Sequence, residues 1–263
     1  MPNFSVILVG AVMILALIGM IACAKKQRTN PNAQPIAIGL LVIVIACGIA
    51  IMVMTNSFGG DDTQTLIENE TRYACAKSEV LGSYLKDKFP GEKVLVVAER
   101  DFATNKRTDR LIEALKTGLG SADVEVDTIT LDTKGKMPPE EEMMMPIEEM
   151  MTAKDFDKLL EKHQDCKLVI TMIGLPRDAA NMKVWKMSKD KRPKIALLNG
   201  DVGTMQQAIA NGYIVGAVFY KPGVKYTEDP APKEVQKAFD ERYLLVNPDN
   251  IKKIAAENKG LFQ

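Results

Sequence analysis

Two long segments without any charge lie close together at the start of the chain. They are FSVILVGAVMILALIGMIACA, from Phe4 to Ala24, and IAIGLLVIVIACGIAIMVM, from Ile36 to Met54. A helix needs roughly 20 residues to cross the hydrocarbon core of a bilayer, and the core helix of a soluble protein rarely stays apolar on every side for that length. The sequence therefore predicts a two-helix transmembrane anchor over residues 1–58, with spans at about 4–24 and 36–54.

The connection between the two spans predicts their orientation. Residues 25–35, KKQRTNPNAQP, contain three basic residues and no acidic one. Basic residues in short loops remain in the cytoplasm, so both termini and everything after Met54 are expected on the outer side of the cell (inner) membrane. An ordinary signal peptide is disfavoured, because the start of the sequence, MPNFS, contains no Lys or Arg. A lipoprotein cleavage box ending at Cys23 is a minor alternative.

The remaining residues are numerous enough to bury a full core. They hold all 34 acidic residues and all but three of the 34 basic ones, without a basic block. This balance argues against nucleic acid as a partner. Residues 59–89 are predicted to form a linker and a juxtamembrane helix, because apolar pairs recur at helical spacing from Thr63 until Pro90-Gly91.

Helical and strand-like segments then alternate over residues 90–263. Continuous apolar runs such as KVLVVA and KLVITMIGL are typical of strands buried on both faces. The predicted strands cover 91–99, 124–132, 167–175, 194–199 and 213–220, and the predicted helices 106–119, 153–163, 178–188, 204–211, 232–243 and 247–258. Strands joined by single helices require right-handed crossovers. We predict one α/β, flavodoxin-like lobe with a mostly parallel sheet of five or six strands covered by helices.

Four stretches of this region resemble the C-terminal lobe of type I periplasmic sugar-binding proteins, a family that includes the cores of lactose-repressor-like regulators. They are SEVLGSYLKDKFPGEKVLVVAE, TAKDFDKLLEKHQDCKLVITM, PKIALLNGDVGTMQQAIANGYIVGAVFYKPG and RYLLVNPDNIKKI. The resemblance implies a binding lobe. The sequence departs from the family pattern at three strand ends. GLPRD stands where the family usually has Asn-Asp, NGD stands where it commonly has Asp-Gly, and Tyr220 stands where it often has Gln or Asn. The family closes two lobes around its ligand, and only one is recognised here.

Candidate ligand contacts follow from the sheet. In an open parallel sheet, ligands lie beyond the carboxyl ends of the strands, and polar or aromatic residues there can bind the hydroxyl groups of a small molecule. The residues predicted at these ends are Asp101, Arg177, Asn199, Asp201 and Tyr220. Each also has a structural interpretation: Asp201 as a helix N-cap, Tyr220 as an aromatic at the sheet end, and Arg177 with Asp178 as a charge pair at a helix start.

No residue pattern predicts catalysis, a cofactor or a metal site. The single histidine, His163, is expected to be a solvated residue in the last turn of a helix, and no phosphate-binding glycine motif is present. A disulfide between Cys75 and Cys166 is left open, since oxidation is permitted outside the cytoplasm. The methionine-rich loop 137–151 allows Cu(I) binding, contact with a partner, or local packing.

The sequence therefore favours a non-enzymatic, membrane-anchored extracytoplasmic protein. Its single lobe would contact another membrane or extracytoplasmic protein, such as a permease or copies of itself. The alternative is a solute-binding or sensing component of a transport system for sugars or other small molecules, with the second lobe supplied by another chain.

Overall fold

The computed structural model forms two compact units, Met1–Glu68 and Asn69–Gln263. It describes residues 4–26, 33–54, 61–131, 145, 147–200, 203–224, 226–227, 229–258 and 260–262. The start of the predicted linker and juxtamembrane helix, 59–89, lies outside the described residues, which resume at Asp61, where a helix begins.

The first unit contains the two apolar helices, α1 (Phe4–Lys26) and α2 (Ala33–Met54). Both are long and apolar enough to cross a membrane, over Ser5–Cys23 and Pro35–Met54, with mean hydropathies of 2.9 and 3.1. Their apolar side chains are largely exposed. The helices pack closely where Gly19 meets Leu40, since a Cβ on Gly19 would lie 3.1 Å from Leu40 Cδ1.

The second unit alternates strands and helices, as the sequence predicts. The helices are α3 (Asp61–Lys88, whose first residues belong to the first unit), α4 (Lys106–Leu119), α5 (Ile147–Met150), α6 (Ala153–Lys162), α7 (Gln206–Ala210), α8 (Val235–Arg242) and α9 (Ile251–Glu257). The strands are β1 (Val94–Ala98), β2 (Val124–Thr128), β3 (Leu168–Thr171), β4 (Lys194–Leu197), β5 (Ile214–Tyr220) and β6 (Tyr243–Val246).

These strands form one six-stranded sheet in the order β2-β1-β3-β4-β5-β6. The first five are parallel, and β6 runs antiparallel to β5, with Val218 opposite Leu245. Strands β1 and β3 are buried along their whole length, which is expected for parallel strands covered on both faces. The predicted fold class is confirmed.

Each face of the sheet carries its own apolar core. Val94, Val96 and Ala98 point to a core shared with α3, α4 and α8. Leu95 and Val97 point to the opposite core, built with α6, α7 and α9. The alternation follows from the two-residue period of a strand, and it separates the side chains of α3 from those of α6 by the thickness of the sheet.

Three elements differ from the sequence-based expectation. The predicted helix 178–188 is replaced by two short 3-10 turns, Ala179–Asn181 and Lys183–Lys186, separated by the buried, extended residue Met182. Met182 is anchored by tertiary packing that local propensity does not encode. In addition, β2 ends at Thr128, and β6 begins directly where α8 ends.

Candidate functional site

A cavity of about 250 Å³ lies in the second unit, beside the carboxyl ends of β1, β4 and β5. It is lined chiefly by polar and aromatic side chains from the strand ends and from α3, α4 and β6. They include Glu70, Lys77, Glu99, Asn105, Arg107, Asn199, Tyr220 and Tyr243. We call it the Lys77 cavity, because the lysine is its most buried polar residue.

Lys77 lies on the buried side of α3. Its neighbours along the helix, Tyr73 and Leu81, pack into the core, and Lys77 itself is 5% exposed. Its ammonium group donates a hydrogen bond to Asn199 Oδ1. It also lies 5.9 Å from the ring centroid of Tyr220 and 5.5 Å from that of Tyr243, within the range of cation–π attraction.

Burial changes the acidity of this lysine. Removal from water disfavours the charged form, and together with the nearby Arg107 charge it lowers the pKa of Lys77 to about 8. Among the described residues, no carboxylate forms an ion pair with Lys77. The ammonium is therefore held by the amide oxygen of Asn199 and by two ring faces.

Asn199 is fixed by the end of the sheet. Its Nδ2 donates to the carbonyl oxygen of Met172 at 2.8 Å, which turns Oδ1 toward Lys77. The next residue, Gly200, has φ +111°, and a Cβ there would lie 2.5 Å from Gly174 Cα. Glycine is required because the loops that follow β3 and β4 approach each other too closely for a side chain.

Aromatic rings and an ion pair form another wall of the cavity. The rings of Tyr220 and Tyr243 lie 5.1 Å apart. Burial raises the pKa of Tyr243 far above its ordinary value, so its hydroxyl stays neutral. Arg242 donates to both oxygens of Glu70 at 2.7 Å and lies 3.4 Å from the ring centroid of Tyr73. In this ion pair a single guanidinium nitrogen, Nη1, faces both carboxylate oxygens, and the charge-assisted contact fixes the Glu70 carboxylate at the rim.

The five ligand contacts predicted from the sequence do not all lie at the cavity. Asn199 and Tyr220 line the cavity. Asp101 lies one contact away, because its Oδ2 accepts from Nδ2 of Asn105 at 3.0 Å. Arg177 is exposed and pairs with Glu149 at 3.0 Å, away from the cavity. Asp201 lies outside the described residues.

Sequence reasoning missed Lys77, although one signal pointed to it. The apolar stripe of α3 runs through Tyr73, Ala74 and Leu81, and a lysine at position 77 falls on the same face at helical spacing. A charged residue within a buried stripe is rarely tolerated without a specific partner. The partner, Asn199, is 122 positions away in sequence.

The prediction that the side chain of His163 is solvated is wrong. His163 ends α6 as its C-cap, but its side chain is only 12% exposed and contacts two carboxylates of β2. No disulfide joins Cys75 and Cys166. Cys75 packs on the core of α3 and α4, whereas Cys166 belongs to the core on the other face of the sheet, so the sheet separates the two sulfur atoms.

Most of the methionine-rich loop 137–151 falls outside the described residues. Of its methionines, the structure describes Met145, Met150 and Met151. Met151 is 3% exposed and belongs to the core beside α6. Local packing therefore accounts for this methionine.

Comparison with known proteins gives matches to solved structures alone. No protein-family model matches the sequence, and no curated protein matches it. One similar structure is a sugar ABC transport substrate-binding protein from Bordetella parapertussis 12822, at 16% identity over 55% of this chain and 41% of that one, with a TM-score of 0.36. A sugar-binding protein of a Bacillus halodurans ABC transporter is 11% identical over 68% of this chain and 64% of that one, with a TM-score of 0.44. An arabinose binding protein from Geobacillus stearothermophilus is 9% identical over 68% of this chain and 62% of that one, with a TM-score of 0.40. The chain spans 41% to 64% of the length of these proteins. All three are sugar-binding proteins or substrate-binding proteins of sugar transport systems.

Proposed function

We propose that this protein is a non-enzymatic binding protein, held at a membrane by α1 and α2, whose α/β unit binds a small anionic ligand in the Lys77 cavity. One observation carries the proposal. Lys77 is a buried ammonium to which the described part of the chain gives no carboxylate partner. A buried charge is strongly disfavoured unless it is paired, and an anionic group of a ligand would supply that partner.

Several other side chains of the cavity suit an anionic ligand, although the carboxylates Glu70 and Glu99 also line it. Arg107 adds a second cation that acts on Lys77, and Asn105 lies beside it. Tyr220 is 56% exposed, so its ring can pack against the apolar face of a sugar. The volume of about 250 Å³ is close to the lower end of ordinary ligand pockets, roughly 300 Å³. A sugar acid or a similarly small carboxylate or phosphate suits these features.

Contact with a second protein is the other candidate. Two exposed aromatic residues favour it. They are Tyr220 at the cavity and Tyr226, which is 64% exposed and whose ring centroid lies 5.0 Å from the guanidinium carbon of Arg242. Exposed aromatic side chains are enriched in protein interfaces. A permease or a second copy of the chain could cover the ligand from this side, as the second lobe does in two-lobed binding proteins.

We also propose that the α/β unit lies on the extracytoplasmic side of the inner membrane. The support is the basic loop 25–35 between two helices of spanning length, because such loops are retained in the cytoplasm.

Ligand binding can be tested on the full chain in detergent micelles. Trp185, the single tryptophan, lies in the α/β unit and reports its thermal unfolding. We expect glucuronate, galacturonate or a hexose phosphate to stabilise the unit, whereas neutral glucose and galactose do not. A ligand at 100 times its Kd should add about 2.7 kcal/mol.

Two lysine variants provide the matched comparison. Lys77→Met should abolish the stabilisation, and Lys86→Met, an exposed position on the same helix, should retain it. Equal stabilisation by neutral sugars, or a Lys77→Met response equal to that of the wild type, would contradict the proposal. A change of oligomeric state or a cross-linked partner with no ligand response would favour the protein-contact candidate.

A further inference from the structure

Four side chains meet on the face of the sheet that is covered by α6. Glu125 and Asp127 are two residues apart on the edge strand β2, so both point to this face. His163 Nδ1 lies 2.7 Å from Glu125 Oε2, and His163 Nε2 lies 2.7 Å from Asp127 Oδ2. Cys166 Sγ is 4.0 Å from the same Glu125 oxygen. We call these four residues the His163 cluster.

The two contacts of His163 cannot both be made by a neutral ring that faces two ionised carboxylates. A neutral imidazole carries one N–H, and its other nitrogen presents a lone pair. An ionised carboxylate is an acceptor only. One nitrogen lone pair would then face a carboxylate lone pair at 2.7 Å. At this hydrogen-bond distance a proton must lie between the two atoms, carried by the ring or by the carboxyl group. A metal ion bound to both atoms would replace that proton and move the atoms apart to roughly 3 Å, because Zn–N and Zn–O bonds are each about 2.0 Å long.

The donor set is that of a zinc site. Imidazole nitrogen, carboxylate oxygen and thiolate sulfur are the three donor types that Zn²⁺ takes in proteins. One atom each of Glu125, His163 and Cys166 lies within 4.8 Å of the others. We propose that these three residues bind one Zn²⁺ ion through Oε2, Nδ1 and Sγ.

The surrounding groups orient the ligands for this role. Asp127 accepts from Nε2, which leaves Nδ1 to bind the metal, and this carboxylate–histidine arrangement is common behind metal ligands. Lys93 pairs with Glu125 Oε1 at 2.5 Å, so Oε2 is the oxygen that faces His163 and Cys166. Lys162 pairs with Asp127 at 2.5 Å and balances its charge.

Access to the cluster comes from a surface cavity of about 480 Å³, which His163 and Cys166 both line. A solvent molecule can therefore occupy the fourth position of a tetrahedral ion. Binding requires Cys166 to lose its thiol proton, which passes to the solvent. The ion would tie the edge strand β2 to the connection between α6 and β3. Sequence reasoning set metals aside because the chain has one histidine, whereas here a carboxylate and a thiol complete the set.

The site can be tested on the full chain, stripped with a chelator and titrated with Co²⁺ as a spectroscopic substitute for Zn²⁺. We expect one ion per chain, a thiolate-to-cobalt charge-transfer band, and displacement of the cobalt by Zn²⁺. Cys166→Ser should abolish the charge-transfer band, and His163→Gln should weaken binding at least tenfold. Cys75→Ser is the matched control, because Cys75 lies on the opposite face of the sheet, and it should leave the spectrum unchanged.

Several results would overturn the proposal. A wild-type titration without a thiolate band would show that a proton alone bridges His163 and its carboxylates. A band that survives in Cys166→Ser, or is lost in Cys75→Ser, would place the metal elsewhere. If Cys166→Ser does not fold, as judged by circular dichroism, the wild-type spectrum and the His163→Gln titration still decide.

Discussion

Replacing Lys77 with methionine should change how the stability of the α/β unit depends on pH. The pKa of Lys77 falls from the ordinary 10.5 to about 8 because the ammonium is buried. Each pH unit between these two values corresponds to about 1.4 kcal/mol. The buried charge therefore destabilises the folded unit by about 3 kcal/mol when both folded and unfolded chains hold the proton, which is the case below pH 8.

The sign follows from proton binding. Between pH 8 and 10.5 the unfolded chain keeps the proton on this lysine and the folded chain releases it. Stability rises with pH wherever the unfolded state binds more protons. The contribution of Lys77 to the free energy of unfolding should thus increase by about 3 kcal/mol across this window, and Lys77→Met should lack that increase.

Comparing the stability difference between Lys77→Met and wild type at two pH values cancels the effects of the substitution that do not depend on pH. At pH 7 the variant gains from the lost desolvation, but it leaves Asn199 Oδ1 without its donor, which costs about 1–3 kcal/mol. That loss is nearly independent of pH. The stability of Lys77→Met relative to wild type should therefore fall by about 3 kcal/mol from pH 7 to pH 10.5.

The assay is urea unfolding of the full chain in micelles, followed by Trp185 fluorescence at several pH values. Lys86→Met is the control, and its stability relative to wild type should not depend on pH. A Lys77→Met difference that stays constant from pH 7 to pH 10.5 would refute the argument, because it would mean that the ammonium is solvated in the folded protein.

Three further predictions concern packing, a helix cap and topology. Gly118→Ala should destabilise the unit by about 1–3 kcal/mol, because the added Cβ would lie 2.2 Å from the carbonyl oxygen of Glu79. The control, Thr117→Ala at the exposed neighbouring position, should change the free energy of unfolding by less than about 0.5 kcal/mol, and equal effects of the two substitutions would count against this helix contact. Thr152→Ala should cost about 1 kcal/mol in urea unfolding, since Thr152 caps α6 in a reciprocal capping box; an unchanged midpoint would show that the cap is replaced by solvent. A reporter active only outside the cytoplasm, fused to the C-terminus, should be active, and making the loop 25–35 acidic should reduce that activity; an inactive wild-type fusion would contradict the proposed orientation.

The sequence alone determined the elements whose signals are local. Charge-free segments of 21 and 19 residues predict helices that are apolar on every side, and both helices are present. Buried strands such as β1 and β3 are continuous apolar runs, so their positions and their parallel pairing followed from composition and from the helices between them. Asn199 and Tyr220 could be placed at the carboxyl edge of the sheet because parallel strands bring their carboxyl ends to one edge; the Lys77 cavity lies at that edge.

The tertiary structure decided which side chains meet. Lys77 and Asn199 are 122 positions apart, and His163 and Glu125 are 38 apart; no periodicity in either segment specifies the other. The same holds for β6, whose four residues form a strand because β5 offers them an open edge. Local patterns encode the conformation of a segment, whereas these contacts arise when the sheet fixes strand order and register. Only then does a buried lysine acquire its amide partner and a helix-terminal histidine its two carboxylates.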